Sequence, residues 1–267
     1  MIADSGKGRG EFPMERGTFP TRPVAVSLGV SALALLIFAV LAYGVVNQTM
    51  LVGWDHAVDN GLRQSAVTTP TGEAVFTDVS RAGSTLAMAV LSLAMAIAVF
   101  LTSYRRLALV VLVAGLGGCY WDRGLKQVFH LRRPPLVATT GQKDGAKPAQ
   151  ARPATAGPMK ISWGFPSGHS LGSIVGYGLL AYLLILLALR RAWARVAIII
   201  LAAVVVLLIG FSRLYLHAHY LSQVLAGFAF GAFWLSLAIM VMELLRRRSA
   251  TVEAGTSTKS TACLTEV

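Results

Sequence analysis

Gly164-Phe165-Pro166-Ser167-Gly168-His169-Ser170 puts an imidazole in the first turn of an expected helix. Pro166 disfavours helix before it, and Ser167 can cap a helix that starts after it. A helix start has unpaired backbone N–H groups and the positive end of the dipole, so it attracts anions. Gly168 lets backbone approach a ligand closely. His169 can exchange a proton with whatever the amides hold. This stretch suits one wall of a phosphate pocket; the plainer alternative is a capped helix start with an incidental histidine.

Two further segments carry matching chemistry. Lys126-Gln-Val-Phe-His-Leu-Arg-Arg133-Pro134 sets two cations seven residues apart. On a helix they share a face, and Pro134 is expected to end that helix near Arg133. Such a pair can grip separate phosphate oxygens, Arg133 with a planar fork, or can simply snorkel to the membrane edge. Ser212-Arg213-Leu-Tyr-Leu-His217-Ala-His219-Tyr-Leu-Ser-Gln223 follows. If residues 219–223 are helical, His219 and Gln223 face the same way, and Gln223 can hydrogen-bond the imidazole and fix its tautomer. His217 reads as part of a polar interfacial turn, and His56 and His130 as interfacial or structural.

Three cations, a helix start and two histidines suffice for phosphoryl transfer through a covalent intermediate. The cations neutralise charge on the phosphoryl oxygens. One histidine attacks phosphorus and the other protonates the leaving oxygen. No cluster of Asp or Glu suited to a metal lies beside them, so a metal-independent site without cofactor is expected.

The elements that must position these groups are membrane spans. The chain of 267 residues is 55% hydrophobic and only 13% charged, with a positive mean hydropathy. That composition is that of a multi-span membrane protein in one helical bundle, not of a soluble domain. Residues 1–23 read as a disordered basic arm. Spans are expected at 24–46, 82–101, 107–130, 170–189, 196–211 and 221–245, and a disordered tail at 249–267. The first is too long for a signal-peptide core and lacks a small-residue cleavage site. Residues 47–81 read as a polar connection with Trp54 at the interface, and 136–162 as an exposed loop. Cys119 and Cys263 sit in dissimilar surroundings, so no disulfide is expected, and no zinc spacing or internal repeat is present.

Net charge is +12. Most of it falls in short turns, which points to topology and to anionic lipid or phosphate, not to nucleic acid. With six spans, Arg105/Arg106, Arg190/Arg191/Arg195, Arg246–Arg248 and the basic arm share one side, cytoplasmic by the positive-inside rule, with both termini. The three chemical segments then share the outer side. The cations clustered over 123–169 breach the rule, which suggests anion binding.

The order Lys126-x6-Arg133-Pro134, Pro166-Ser167-Gly168-His169, Ser212-Arg213-x5-His219 resembles the type 2 phosphatidic acid phosphatase (PAP2) family of integral membrane lipid phosphatases. The likeness covers the chain from the third span to the sixth. It implies an all-α six-span bundle with its site on the outer face. His219 would be the nucleophile that forms a phosphohistidine, and His169 the general acid. Lys126, Arg133, Ser167, Gly168 and Arg213 would bind phosphate, with Pro134, Pro166 and Ser212 supporting the motifs. Candidate substrates are phosphatidic acid, phosphatidylglycerol phosphate, polyprenyl pyrophosphates and phosphorylated lipid A, at a bacterial inner membrane with the site facing the periplasm or exterior. One position departs: the family carries Asp four residues after the histidine, and this chain has Gln223. Gln can accept the same hydrogen bond but brings no charge. A weaker orienting residue, an acid from elsewhere such as Asp122 or Asp78, or a poor catalyst that mainly binds lipid would each account for it. Transfer of the phosphoryl group to another lipid instead of water is the further alternative.

Overall fold

The computed structural model describes residues 22–64, 69–102, 104–134, 163–189 and 191–264, and among them the protein is all helix apart from one isolated bridge pair, Arg132 with Trp163. The helices are α1 (Arg22–Val46), α2 (Met50–Gln64), α3 (Pro70–Ala82), α4 (Thr85–Phe100), α5 (Arg105–Phe129), α6 (Gly168–Leu187), α7 (Ala192–Tyr215) and α8 (Leu221–Leu264). Five of them, α1, α5, α6, α7 and α8, are long and apolar enough to cross a membrane. Helices α3 and α4 make a sixth candidate as a bent pair, 40° apart. Large side chains such as Leu33, Val40, Ile199 and Leu207 are exposed, as expected where lipid is the solvent.

Several sequence expectations need correction. The polar connection expected at 47–81 holds two helices, α2 and α3, among its described residues. The second span is not a straight helix over 82–101. Helix α4 covers 16 residues, too few for about 30 Å of hydrocarbon at 1.5 Å per residue. Its start is cut by Ser84, whose side chain accepts from the Ala87 amide at 3.2 Å. The tail expected to be disordered from 249 continues α8 as helix to Leu264. The basic arm to residue 21 and the loop at 136–162 lie outside the described residues.

Helix α8 packs along α1 and α6 and also meets α5. The core between them is aromatic near one end. Phe165 is fully buried, with its ring 5.0 Å from Phe129 and 5.9 Å from Phe38 by centroids. Phe38 in turn meets Phe230 at 5.1 Å. Trp234 threads between α8 and α5 and donates its indole N–H to the Ala114 carbonyl at 2.8 Å. Phe165 thus plugs the segment before α6 into the bundle.

Candidate active site

The end of α5, the start of α6, the end of α7 and the start of α8 come together at one end of the bundle. Helix α5 stops at Phe129. His130 takes a left-handed conformation, φ 49°, and its amide returns to the Lys126 carbonyl. The chain then runs extended, so Arg133 does not share a helical face with Lys126 as the spacing suggested. Instead, Gly164 donates to the Leu131 carbonyl at 2.7 Å and Arg132 bridges to Trp163. His130 itself packs edge-on to Trp163 at 4.8 Å, a structural role.

Ser167 is the N-cap of α6, as its place in the sequence suggests, with the Ser170 amide 3.4 Å from its Oγ. The Ser167 amide donates to the Gln223 carbonyl at 2.9 Å, which stitches α6 to α8. Two glycines permit this closeness. A Cβ at Gly227 would strike the Ser167 carbonyl, and one at Gly168 would strike the carboxylate of Asp122. Asp122 pairs with Lys126, whose Nζ lies 2.8 Å from Oδ2 and 2.7 Å from Oδ1.

The third motif is a turn closed by one carbonyl. The amides of Ala218 and His219 both reach the Arg213 carbonyl, at 2.9 and 3.2 Å. His217 supplies the left-handed residue of that turn, φ 49°. The spacing of Arg213 to His219 is therefore the length this turn needs. Ser212 anchors it from below by donating to the Ile209 carbonyl at 2.6 Å. Arg213 donates one guanidinium N–H to Ser80 of α3, while its Nε is buried with no protein partner among the described residues.

His219 is 3% exposed, and its Nδ1 lies 2.9 Å from Gln223 Oε1. The same oxygen accepts from the Tyr220 amide at 3.3 Å, and Gln223 Nε2 donates to the Arg132 carbonyl at 2.8 Å. Those two neighbours fix which end of the amide is oxygen. Nδ1 of His219 must then donate, so Nε2 keeps its lone pair. Burial, reinforced by Arg133 and Arg213, holds the imidazole pKa well below its usual range, against the opposing effect of the Gln223 hydrogen bond. A neutral imidazole with a free nitrogen lone pair is a nucleophile. Arg133 is also opposed by burial, and Asp122 acts to keep it charged. The charges of Arg133, Arg213 and Lys126 reach both His169 and His219.

Of the two acids considered in place of the absent carboxylate, neither sits behind His219. Asp122 is committed to Lys126, and Asp78 pairs with Arg81 on the exposed side of α3. The residues that sequence reasoning missed are on α2 and α3: Asp55, Asp59 and Ser80. Asp55 accepts from the Ser222 amide at 2.8 Å and from its hydroxyl. Asp59 meets His217 Nδ1 at 2.8 Å and Arg63 at 2.8 Å. Burial raises the Asp55 pKa despite the two Ser222 hydrogen bonds. Burial also acts to raise Asp59, but Arg63 and His217 outweigh it and the pKa lies below the usual carboxylate range. The four-residue spacing of Asp55 and Asp59 on a helix was the available signal. His56 packs against the Tyr220 ring at 5.4 Å and touches no other motif residue by ring contact.

Known proteins resemble this chain in sequence and in fold. Phosphatidylglycerophosphatase B of Bacillus subtilis (strain 168) is 37% identical over 70 residues, 26% of this chain. The match spans about a third of that relative's length, 34%. The crystal structure of the first transmembrane PAP2 type phosphatidylglycerolphosphate phosphatase from Bacillus subtilis superposes with a TM-score of 0.59 at 23% identity. It covers 82% of this chain and 94% of its own, so the overall fold is shared. The family model of the PAP2 superfamily matches residues 88–247, more than half of the chain and all three motif segments, and the chain belongs to that superfamily.

Proposed function

We propose that the protein is a membrane lipid phosphatase that releases phosphate from a lipid phosphomonoester or pyrophosphate through a phosphohistidine. The carrying observation is the tie between His219 and Gln223, which leaves Nε2 unprotonated among Arg133, Arg213 and Lys126. His219 Nε2 attacks phosphorus, the bond to the leaving lipid oxygen breaks, and His169 gives that oxygen its proton. His169, now a base, takes a proton from water. The hydroxide attacks the phosphohistidine, frees inorganic phosphate and restores both histidines. Lys126, Arg133, Arg213 and the α6 amides after Ser167 bind the phosphoryl oxygens. Arg213 suits this, since its buried Nε is an unpaired donor. These cations supply the charge neutralisation, so no metal is required in the scheme.

The chain crosses the membrane six times in this reading, with α3 and α4 as one broken span. The cationic turns lie on the cytoplasmic side and the site on the outer face. The Bacillus subtilis relative favours phosphatidylglycerol phosphate as the first substrate to try.

The test is phosphate release, without divalent metal, from solubilised phosphatidic acid, phosphatidylglycerol phosphate, a polyprenyl pyrophosphate and phosphorylated lipid A. At least one is hydrolysed, and His219→Ala abolishes that turnover. Full activity in His219→Ala, or no release from any of the four by folded protein, defeats the reading. Label appearing on an acceptor lipid instead of free phosphate would reassign the protein as a phosphotransferase.

A further inference from the structure

We infer that Asp55 and Asp59 of α2 are positioning residues for the His219 nucleophile, and that they do from outside the motif what the absent carboxylate does within it. The inference rests on the role proposed for His219. Asp55 and Asp59 are four residues apart and so lie on one face of α2. They grip the chain on both sides of His219, two residues before it and three after. Asp59 holds His217, the left-handed residue of the turn, through Nδ1 at 2.8 Å. Asp55 holds Ser222, by its amide at 2.8 Å and by its hydroxyl.

Ser222 lies in the first turn of α8, where amides lack intrahelical partners. A carboxylate from another helix therefore caps α8, with the favourable sign for its dipole. The capped residue is followed directly by Gln223, whose side chain orients His219. A shift of the α8 start would move Gln223 away from both His219 and the Arg132 carbonyl. Asp55 is 5% exposed and 167 residues from its partner, a costly placement for a group with no task. Neither carboxylate contacts Lys126, Arg133 or Arg213, so their effect should fall on alignment and not on phosphate binding.

The experiment compares Asp55→Ala, Asp55→Asn, Asp59→Ala and His219→Ala in full-length protein, on whichever of the four lipids the parent hydrolyses fastest. It measures kcat, KM and inhibition by inorganic phosphate. Asp55→Ala is expected to lower kcat at least tenfold, with KM and the phosphate inhibition constant within threefold of the parent. Asp55→Asn keeps an acceptor for the Ser222 amide and is expected to recover part of that loss, which covers the case in which the alanine variant does not fold. Asp59→Ala should act in the same direction, more weakly. If folded Asp55→Ala retains kcat within twofold, if Asp55→Asn is no more active than folded Asp55→Ala, or if kcat and phosphate inhibition collapse together in either variant, the positioning role is wrong. An active His219→Ala would instead overturn the nucleophile on which it rests.

Discussion

Gln223 reaches His219 with its oxygen and the Arg132 carbonyl with its nitrogen, 2.9 and 2.8 Å away. The residue that departs from the family pattern is thus fully used. It joins the start of α8 and the turn that carries His219 to the segment that carries Arg133. A carboxylate could copy the first contact but not the second, since it has no N–H to give the carbonyl.

That relationship predicts the outcome of restoring the acid. Gln223→Asp shortens the side chain by one methylene and leaves the Arg132 carbonyl without its donor. Turnover is expected to fall about tenfold or more, one hydrogen bond to a buried group being worth ~1–3 kcal/mol. Gln223→Ala should fall further. A clear rise in turnover for Gln223→Asp would mean that the parent is limited by the missing charge, as in a weak lipid-binding relative.

The depressed pKa of His219 sets a pH expectation. Burial, Arg133 and Arg213 keep the folded imidazole neutral below the ordinary histidine range. As the proposed nucleophile, His219 should therefore remain active as pH falls through about 6.5, the ordinary histidine value. Stability shows the opposite face of the same shift. Below that value the unfolded chain takes up a proton at His219 that the folded chain refuses, so stability declines with falling pH. It is fully retained above the ordinary value. His219→Gln removes this titration, and its melting temperature in detergent should depend less on pH between about 6.5 and 5. An identical pH dependence in parent and variant would contradict the shift.

What the sequence reveals of this site is local. The Ser167 cap and the Arg213-to-His219 spacing are set within one turn, and both read correctly from residue types. His219 does pair with Gln223, but from the turn before α8, which begins only at Leu221, and not as two residues on one helical face. What escaped depends on distant partners. Arg133 leaves the α5 face because Leu131 and Arg132 pair with Trp163 and Gly164, some thirty residues on. Asp55 finds Ser222 at a separation of 167 residues. Helices α2 and α3 carry too few apolar residues to register as spans, although the first contacts His217 and Ser222 on either side of His219 and the second holds Arg213 through Ser80.

Phe165 should govern stability more than chemistry. Its ring is wholly buried against Phe38 and Phe129, and it precedes the cap of α6 by two residues. Truncating a core Phe to Ala costs ~3–5 kcal/mol in well-packed proteins. Phe165→Ala is expected to lower the melting temperature, while Phe165→Leu recovers most of the loss because it refills the volume. If Phe165→Ala melts like the parent, the plug is not holding the segment.

Gly168 offers the sharpest test of the packing around the proposed phosphate site. A methyl group there would meet the Asp122 carboxylate, which is tied to Lys126 by a hydrogen bond to Oδ2 and so resists swinging away. Either the α6 start shifts, displacing His169 and the amides that follow Ser167, or the ion pair breaks. Gly168→Ala is therefore expected to lower turnover about a hundredfold. Asp122→Ala removes the obstacle and leaves Lys126 available to phosphate. The double variant Gly168→Ala/Asp122→Ala should regain activity relative to Gly168→Ala alone, with a coupling of ~0.5–3 kcal/mol, as for residues in direct contact. Losses that simply add would show that Gly168 is needed for something other than its clearance from Asp122, such as the approach of a phosphate to the backbone itself.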